Sequence, residues 1–391
     1  MTRLLHRDDP YLLEFEAAVV GRRQHEGRPA VVLDRTAFYA ESGGQPWDIG
    51  TLEGVPVVAV LEHGGEVLHV LAAPLPADAV HGRVDAERRR DHLQQHHGQH
   101  LLSRALVEVA SAATVSFHLG AEESTIDLGA LVSEEDLRRA EMRCNEIVWD
   151  GRPVRSRVVP RREAEALGVH AADEAGDAVR LVEAEGFDVQ ACGGTHPRRT
   201  SEVGVVVILG QERYKAGSRV RFVCGARALQ AFHVRAAAVD RVGALLSSPL
   251  ADLPATVERL QERLAESTRH ARDLTERALR AEAERLIAGS GSPAVVTAIY
   301  EGWPPEDLRT LAQHLVALGP CVALLASRAG KAHVVFAQSE GLPHDIPRLL
   351  RETLADLGGR GGGKGNLAQG GSDDASGLEA ALAKAARAVR A

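Results

Sequence analysis

His96 and His100 are the first residues along this chain whose type and spacing could do chemistry. They stand four apart in a stretch that reads as helix, so both imidazoles leave one face and can reach one metal ion. Much further on, ACGGTH sets Cys192 and His196 four apart, and Gly193 and Gly194 between them let the backbone turn tightly enough to aim both side chains at one point. Each half alone is weak evidence in a chain with 17 histidines. Spacing leaves open a plainer reading, in which Cys192 is a buried structural thiol and the histidines are core or surface residues. As a set, one thiolate and three imidazoles suit zinc, a borderline-soft ion that accepts tetrahedral geometry. His97 is rotated about 100° from His96 on a helix, is expected to face elsewhere, and is not counted as a ligand.

These residues need a helix and a tight turn to hold them. Leu93, His97, His100, Leu101, Ala105 and Val109 fall at helical intervals, which predicts a helix over about 91–110 with Asp91 as its cap. Ser133, with Asp136 three residues on, opens a second helix that ends near Gly151. Between and after these, TVSFHLG, STIDLG, VRLVEA and GVVVILG read as strands of a largely antiparallel sheet. The first ninety residues alternate short apolar runs with Gly- and Pro-rich turns, the pattern of a β-rich, barrel-like unit. After Ala226 the composition turns helical. Pro254 can open a long helix in which Val257, Leu260, Leu264, Ser267, Ala271, Leu274, Ala278 and Ala281 form the seam of a hairpin or short coiled coil. Beyond Gly289, AVVTAIYEG, CVALLAS and KAHVVFAQS alternate with amphipathic helices, suggesting an α/β domain. The expected fold is therefore α+β in four parts: a β-rich unit over 1–90, a zinc-binding α+β domain over 91–225, a helical hairpin over 226–288 and a C-terminal α/β domain over 289–391.

Composition sets outer limits. A length of 391 residues with 45% hydrophobic content supports two or three domains. Charges at Arg3, His6, Arg7, Asp8 and Asp9 interrupt the start, so neither a signal peptide nor a membrane helix is expected there, and the cytoplasm is the expected address. Four widely spaced cysteines without a C-x-x-C pair fit a reducing compartment. A net charge of -8 argues against indiscriminate nucleic-acid binding, while local clusters such as Arg88 to Arg90 permit a phosphate partner.

QQHHGQHLLSRAL and CGGTH, preceded by LDRTAFYAESGGQPWDIG, resemble the editing domain of alanyl-tRNA synthetase and its free-standing relatives, over roughly residues 15–225. GGRGGGKGNLAQGG, from Gly358 to Gly371, is similar to the signature of the C-terminal domain that these synthetases share with a group of phosphoesterases. Both ends thus resemble the long form of the alanyl-tRNA editing family, and an editing-like segment starting almost at Met1 is not expected to be preceded by an aminoacylation domain. The resemblance implies that His96, His100, Cys192 and His196 ligate zinc. It also implies that the chain hydrolyses the aminoacyl ester of mischarged tRNA(Ala), releasing serine or glycine, with the acceptor end of that tRNA as partner. On the segment that the family places at the pocket, Thr36 is the candidate reader of the serine hydroxyl; Gly43, Gly44 and Gln45 would give close backbone approach and an amide, and His118 would line the site. Ser42, before the glycine pair, is a departure from the family pattern. Such a hydrolase answers a real difficulty, since a pocket for alanine rejects glycine and serine poorly.

Three rival readings follow from the same residues. GGRGGGK nearly matches a nucleotide-binding loop, but Gly365 stands where a Mg²⁺-binding hydroxyl is required. A phosphoesterase would need an Asp-His-His signature, of which DHL at Asp91 is the nearest trace. The third is a zinc-stabilised tRNA-binding or dimerisation module without hydrolase activity. For the C-terminal domain, Gly361 to Gly363 are expected to form an anion-binding nest flanked by Arg360 and Lys364 that takes a tRNA phosphate, and a homodimer through this region is a further expectation.

Overall fold

The computed structural model describes residues 2–63, 65–169, 177–288 and 290–391. The chain divides into two compact units, Met1–Val242 and Gly243–Ala391; Gly289, the boundary expected from sequence, lies outside the described residues. No helix of the described residues is long and apolar enough to cross a membrane.

The first unit opens with β1 (Arg3–Leu4), β2 (Glu14–His25), β3 (Arg28–Leu33), β4 (Arg35–Thr36), β5 (Gly50–Leu52), β6 (Val55–His63), β7 (Glu66–Leu71) and β8 (Ala79–Val84). Among the described residues, six of these close on themselves in the order β2-β3-β7-β6-β5-β8. Alternation drives this: along β8 every second residue is buried, the period at which a strand turns one face inward. Phe15, Leu33, Phe38, Leu52, Val60 and Leu71 fill the interior.

Helix α1 (Ala86–Ala110) follows. It starts earlier than the apolar spacing predicts, because Asp85 caps it, accepting from the Arg88 N–H at 2.8 Å. Asp91 does not cap; its carboxylate pairs with Arg227 at 2.5 Å. Every residue from Gln95 to Ser103 is buried, so the middle of α1 has no solvent face and its polar side chains must find partners inside the protein. Gln95 illustrates this by donating to the Cys224 carbonyl and accepting from the Cys224 N–H, both at 2.9 Å.

The remainder of the unit comprises β9 (Thr114–Leu119), β10 (Ser124–Leu128), α2 (Glu134–Asp150), β11 (Val154–Pro160), α3 (Arg161–Ala166), β12 (Ala178–Ala184), β13 (Asp188–Ala191), β14 (Val206–Tyr214), β15 (Gly217–Cys224) and α4 (Gly225–Leu246), the last running past the boundary at Val242. Ser133 caps α2 and Gly151, at φ 63°, stops it, as the sequence predicts. Two antiparallel sheets result, β14-β15-β10-β9 and β11-β12-β13. Leu101, Leu102 and Leu106 of α1, Ile147 of α2 and Phe222 of β15 share one core, which fixes α1 between its neighbours.

The second unit holds α5 (Leu253–Ile287), β16 (Ala294–Glu301), α6 (Pro305–Leu318), β17 (Cys321–Arg328), β18 (Ala332–Gln338), α7 (Ile346–Ala355), β19 (Arg360–Lys364), β20 (Leu367–Ser372) and α8 (Leu378–Arg390). Two sequence expectations need correction here. The stripe read as a hairpin seam is exposed at Val257, Leu260, Leu264 and Leu274, and burial on α5 sets in at Leu279 and Ala283, where α6 covers it. The sheet is mixed, in the order β16-β17-β18-β20-β19, and only β16–β17 is parallel, because hairpins replace the crossovers that an α/β pattern needs.

The expected nest is not formed either. Gly361 to Gly363 lie in β19, paired with β20, and the turn between the two strands falls at Gly365, φ 67°. Glycine is required for a different reason. A Cβ at Gly361 would stand 2.5 Å from Leu354 Cδ1, and one at Gly370 would stand 2.4 Å from the same atom. The run lets α7 lie directly on the two strands.

Candidate metal centre

Two segments build the centre. α1 supplies His96 and His100 one turn apart, and the turn after β13 supplies Cys192 and His196. One ligand atom from each of the four lies within 4.8 Å of all the others. Cys192 Sγ is 3.4 Å from His96 Nε2 and 3.2 Å from His196 Nε2. A tetrahedral zinc with sulfur at about 2.3 Å and nitrogen at about 2.0 Å has S···N edges of roughly 3.5 Å, so donor types and spacing both fit such an ion.

Two of the three imidazoles have a hydrogen-bonded outer nitrogen and the third turns its outer nitrogen to a carboxylate, the kind of support that metal-bound histidines take. His96 Nδ1 donates to Gln45 Oε1 at 2.6 Å. His100 Nδ1 faces Asp188 Oδ2 at 3.6 Å, and His196 Nδ1 lies 3.1 Å from His97 Nδ1. His97 is thus outside the ligand group, yet it does not face elsewhere: it orients a ligand. Gln45, fully buried, is held in turn by Thr195, whose N–H donates to Gln45 Oε1 at 3.1 Å and whose hydroxyl accepts from Gln45 Nε2 at 3.0 Å.

Burial alone would push the Cys192 thiol up, but His96, His196 and His100 around it outweigh that and hold it well below its ordinary value. His196 is pushed down to about 3 by burial. His100 goes the other way, to about 9, since Cys192 and Asp188 overcome its desolvation. A thiolate among imidazoles in a buried site is the charge state that a soft divalent cation takes.

Neither Gly193 nor Gly194 has a positive φ, so the turn does not need glycine for its backbone conformation, contrary to the sequence expectation. Gly194 is needed for close approach: a Cβ there would stand 2.1 Å from His96 Cε1 and 2.8 Å from Gln45 Oε1, whereas nothing lies within 4 Å of one at Gly193.

Other candidates fall differently. Gly43 and Gly44, at φ 53° and 80°, form the tight turn between Ser42 and Gln45 that delivers the Gln45 amide. Thr36 is fully buried; its hydroxyl lies 2.8 Å from His69 Nε2 and accepts from the Phe38 N–H at 3.1 Å. His118 is exposed. Its neighbour Phe117 turns toward His96, with ring centroids 5.8 Å apart, so strand alternation sends His118 to the opposite face of β9, where it lines a separate groove with Trp47 and Arg88. Arg360 and Lys364 are exposed at the two ends of β19 in the second unit.

Sequence reasoning missed Asp188, Arg180, Asp48 and Arg89. Arg180 donates from Nη1 to the carbonyls of Cys192 and Gly194 at 2.8 and 3.0 Å. Arg89, 1% exposed, pairs with the fully buried Asp48 at 2.5 Å and also donates to the Ala37 and Pro10 carbonyls at 2.6 and 2.7 Å. This pins α1 to the segment that carries Gln45. Only Thr195 had a signal, by its place inside ACGGTH.

Two segments of the chain match known family domains. Residues 179–221 match the threonyl and alanyl tRNA synthetase second additional domain, and residues 291–391 match the DHHA1 domain. The chain thus joins a synthetase-type additional domain to a DHHA1 domain. It is 32% identical over 390 residues to the alanyl-tRNA editing protein AlaX-L of Pyrococcus horikoshii, covering 95% of this chain and 94% of that one. The chain belongs to the alanyl-tRNA editing family. It is also 33% identical to the alanine–tRNA ligase of Pyrococcus furiosus, over 94% of this chain but 42% of the ligase, so it spans less than half the length of that enzyme. The solved C-Ala domain from Aquifex aeolicus alanyl-tRNA synthetase is 27% identical over 26% of this chain and 96% of that domain, with a TM-score of 0.25, too low to bear on the fold.

Proposed function

We propose that this chain hydrolyses the aminoacyl ester of mischarged tRNA(Ala), releasing serine or glycine, with the acceptor end of the tRNA as its partner and zinc held by His96, His100, Cys192 and His196. The observation that carries the reading is the convergence of two ligand pairs some ninety residues apart on one buried point, in a chain of this family. When bound, zinc would supply a Lewis acid that polarises or orients the ester. The chain's own residues do the rest. Gln45, Asp188 and His97 keep the three rings in one tautomer and orientation, and Arg180 fixes the Cys192 turn. Cys192 is the one of the four that is only partly buried, and its partial exposure supports an approach of substrate from its side. In the reaction, water oxygen bonds to the ester carbon, the bond to the ribose oxygen breaks, that oxygen takes one of the water's protons, and the amino acid leaves as its carboxylate with the other proton passing to solvent.

The test is to incubate the purified, zinc-loaded chain with tRNA(Ala) carrying serine, glycine or alanine. Serine or glycine should be released and alanine spared. Cys192→Ala should lower both zinc content and release sharply. A chain that binds zinc and tRNA but leaves every ester intact would instead be the structural module, a reading favoured by a ligand set that already numbers four.

The Thr36 hydroxyl is already engaged within the barrel, so it could meet a serine side chain only through one remaining lone pair. Thr36→Val is therefore expected to slow serine and glycine release equally and to cost about 1–3 kcal/mol of stability through the unpaired His69 and Phe38 groups. A loss confined to the serine substrate, with an unchanged melting temperature, would restore Thr36 as the side-chain reader.

In the second unit, Arg360 and Lys364 offer exposed positive charge for a tRNA phosphate. Lys364→Ala should weaken tRNA binding and reduce the slope of affinity against salt by about one charge. An unchanged slope in a salt titration removes Lys364 from the interface.

A further inference from the structure

Gln45 orients His96 from a loop that runs from Tyr39 to Asp48. Asp48 closes this loop: its N–H donates to the Tyr39 carbonyl at 3.1 Å, and its Oδ2 accepts from the Tyr39 N–H at 2.7 Å. Both sides are anchored on β6, where the Glu41 N–H donates to the Val60 carbonyl and the Trp47 indole N–H to the Val58 carbonyl, each at 3.0 Å. The tip is held less firmly. Ser42, Gly43 and Gly44 are exposed, and the two glycines bring no side chain to pack. The bonds from the Ser42 N–H to the Gln45 carbonyl and from the Leu119 N–H to the Gly44 carbonyl are both 3.3 Å, at the long end for N–H···O.

Tyr39 supplies a shorter tie. Its ring is 4% exposed and packs edge-on against His6, with centroids 5.4 Å apart, and its hydroxyl donates to the Ser42 carbonyl at 2.9 Å. That carbonyl also accepts the Gln45 N–H at 3.0 Å. One oxygen thus joins the phenol to the backbone of the residue that orients His96. Burial raises the phenol above its ordinary value, so it keeps its proton and donates. A phenylalanine would pack the same ring, so the hydroxyl is there for what it holds.

We propose that Tyr39 is a positioning residue for the metal centre. Its hydroxyl fixes the turn from Ser42 to Gln45, the turn sets the Gln45 amide, and the amide holds His96 in the orientation that ligates. The inference rests on the reading of His96, His100, Cys192 and His196 as zinc ligands. It gives the barrel a part in metal binding, although the barrel supplies no ligand.

The experiment measures zinc affinity of the full chain by competitive chelator titration. Tyr39→Phe, which keeps the ring and its contact with His6, should lower affinity about fivefold, less than the roughly 10–100-fold that outright loss of an outer-shell partner costs. Gln45→Met removes that partner and should show the full loss. The double variant is decisive: if Tyr39 acts through Gln45, adding Tyr39→Phe to Gln45→Met should change affinity by less than about twofold, since coupled residues are not additive. In the cobalt-loaded chain, proton resonance should show the His96 Nδ1–H exchanging with solvent about tenfold faster in Tyr39→Phe than in the native protein. Tyr300→Phe, which deletes the hydroxyl that donates to Glu282 in the second unit, is the control and should behave as native. Native affinity in Tyr39→Phe, or a loss that persists undiminished in the Gln45→Met background, overturns the proposal while the ligand reading stands. A native chain that binds no zinc overturns the ligand reading and the proposal with it. A chain that binds zinc and shows the coupling, yet hydrolyses no charged tRNA, keeps Tyr39 in this role while the hydrolase reading falls.

Discussion

Gly194→Ala should strip the protein of its metal affinity and its ester hydrolysis, while Gly193→Ala should keep both. The two glycines are neighbours in one motif, and sequence gives no ground for treating them differently. The structure does: the added methyl at 194 would stand inside the His96 ring and against Gln45, and the one at 193 would stand in open space. His96 cannot retreat, because it sits on the fully buried stretch of α1 and its outer nitrogen is fixed by Gln45. Displacing a ligand together with the group that orients it should cost at least the roughly 10–100-fold in metal affinity that loss of an outer-shell partner costs. Metal analysis and competitive chelator titration of both variants, with circular dichroism as a control for folding, decide it. Equal metal content in the two would show that the turn yields and that the close approach is incidental.

Asp48→Asn should destabilise the protein by about 3–5 kcal/mol, because it leaves the Arg89 guanidinium buried and uncompensated. Adding Arg89→Met to that variant should recover part of the loss, since an apolar side chain replaces the stranded charge. Thermal or denaturant melts of the two variants test this, and a double variant less stable than Asp48→Asn would overturn it. The same pair predicts a pH dependence. Burial alone would raise the Asp48 carboxyl, but His92 and Arg89 outweigh it and hold the carboxyl at about 2, below its ordinary 3.8. A depressed carboxyl contributes stability that is complete above its unfolded value and disappears as pH falls through the folded one. About 2 kcal/mol should therefore be lost between about pH 4 and pH 2, and this loss should be absent in Asp48→Asn.

The parts of the fold legible in sequence were those carried by local pattern. Ser133 and Gly151 bracket α2 because caps act within one turn, and the short apolar runs of the first ninety residues mark strands such as β3, β6 and β7. The start of α1 was missed because Asp85 caps it ahead of a charged first turn, Glu87 to Arg90, that carries no apolar rhythm. Strands β11, β13 and β15 were missed because their residues are partly polar and their identity depends on their partners. The same division holds at the centre. His96, His100, Cys192 and His196 are read from short spacing and family likeness, whereas Asp188, Arg180 and the Asp48–Arg89 pair act across long separations that leave no local trace. The glycine run at 361–363 was misread for a related reason. Glycine is uncommon inside strands, and the cause of its presence, the side chain of Leu354 on α7, is visible only in three dimensions.

That run has a consequence for colloidal behaviour. β19 is the outermost strand of its sheet, exposed along its whole length, and its three central residues have no side chains to stand in the way of another strand. Such a border is a template for unwanted strand addition between copies. The ends guard it. If two copies met antiparallel about the middle of the strand, Arg360 of each would lie opposite Lys364 of the other, so both ends would set cation against cation. The two charges offered above for a tRNA phosphate thus also keep a bare backbone edge from polymerising.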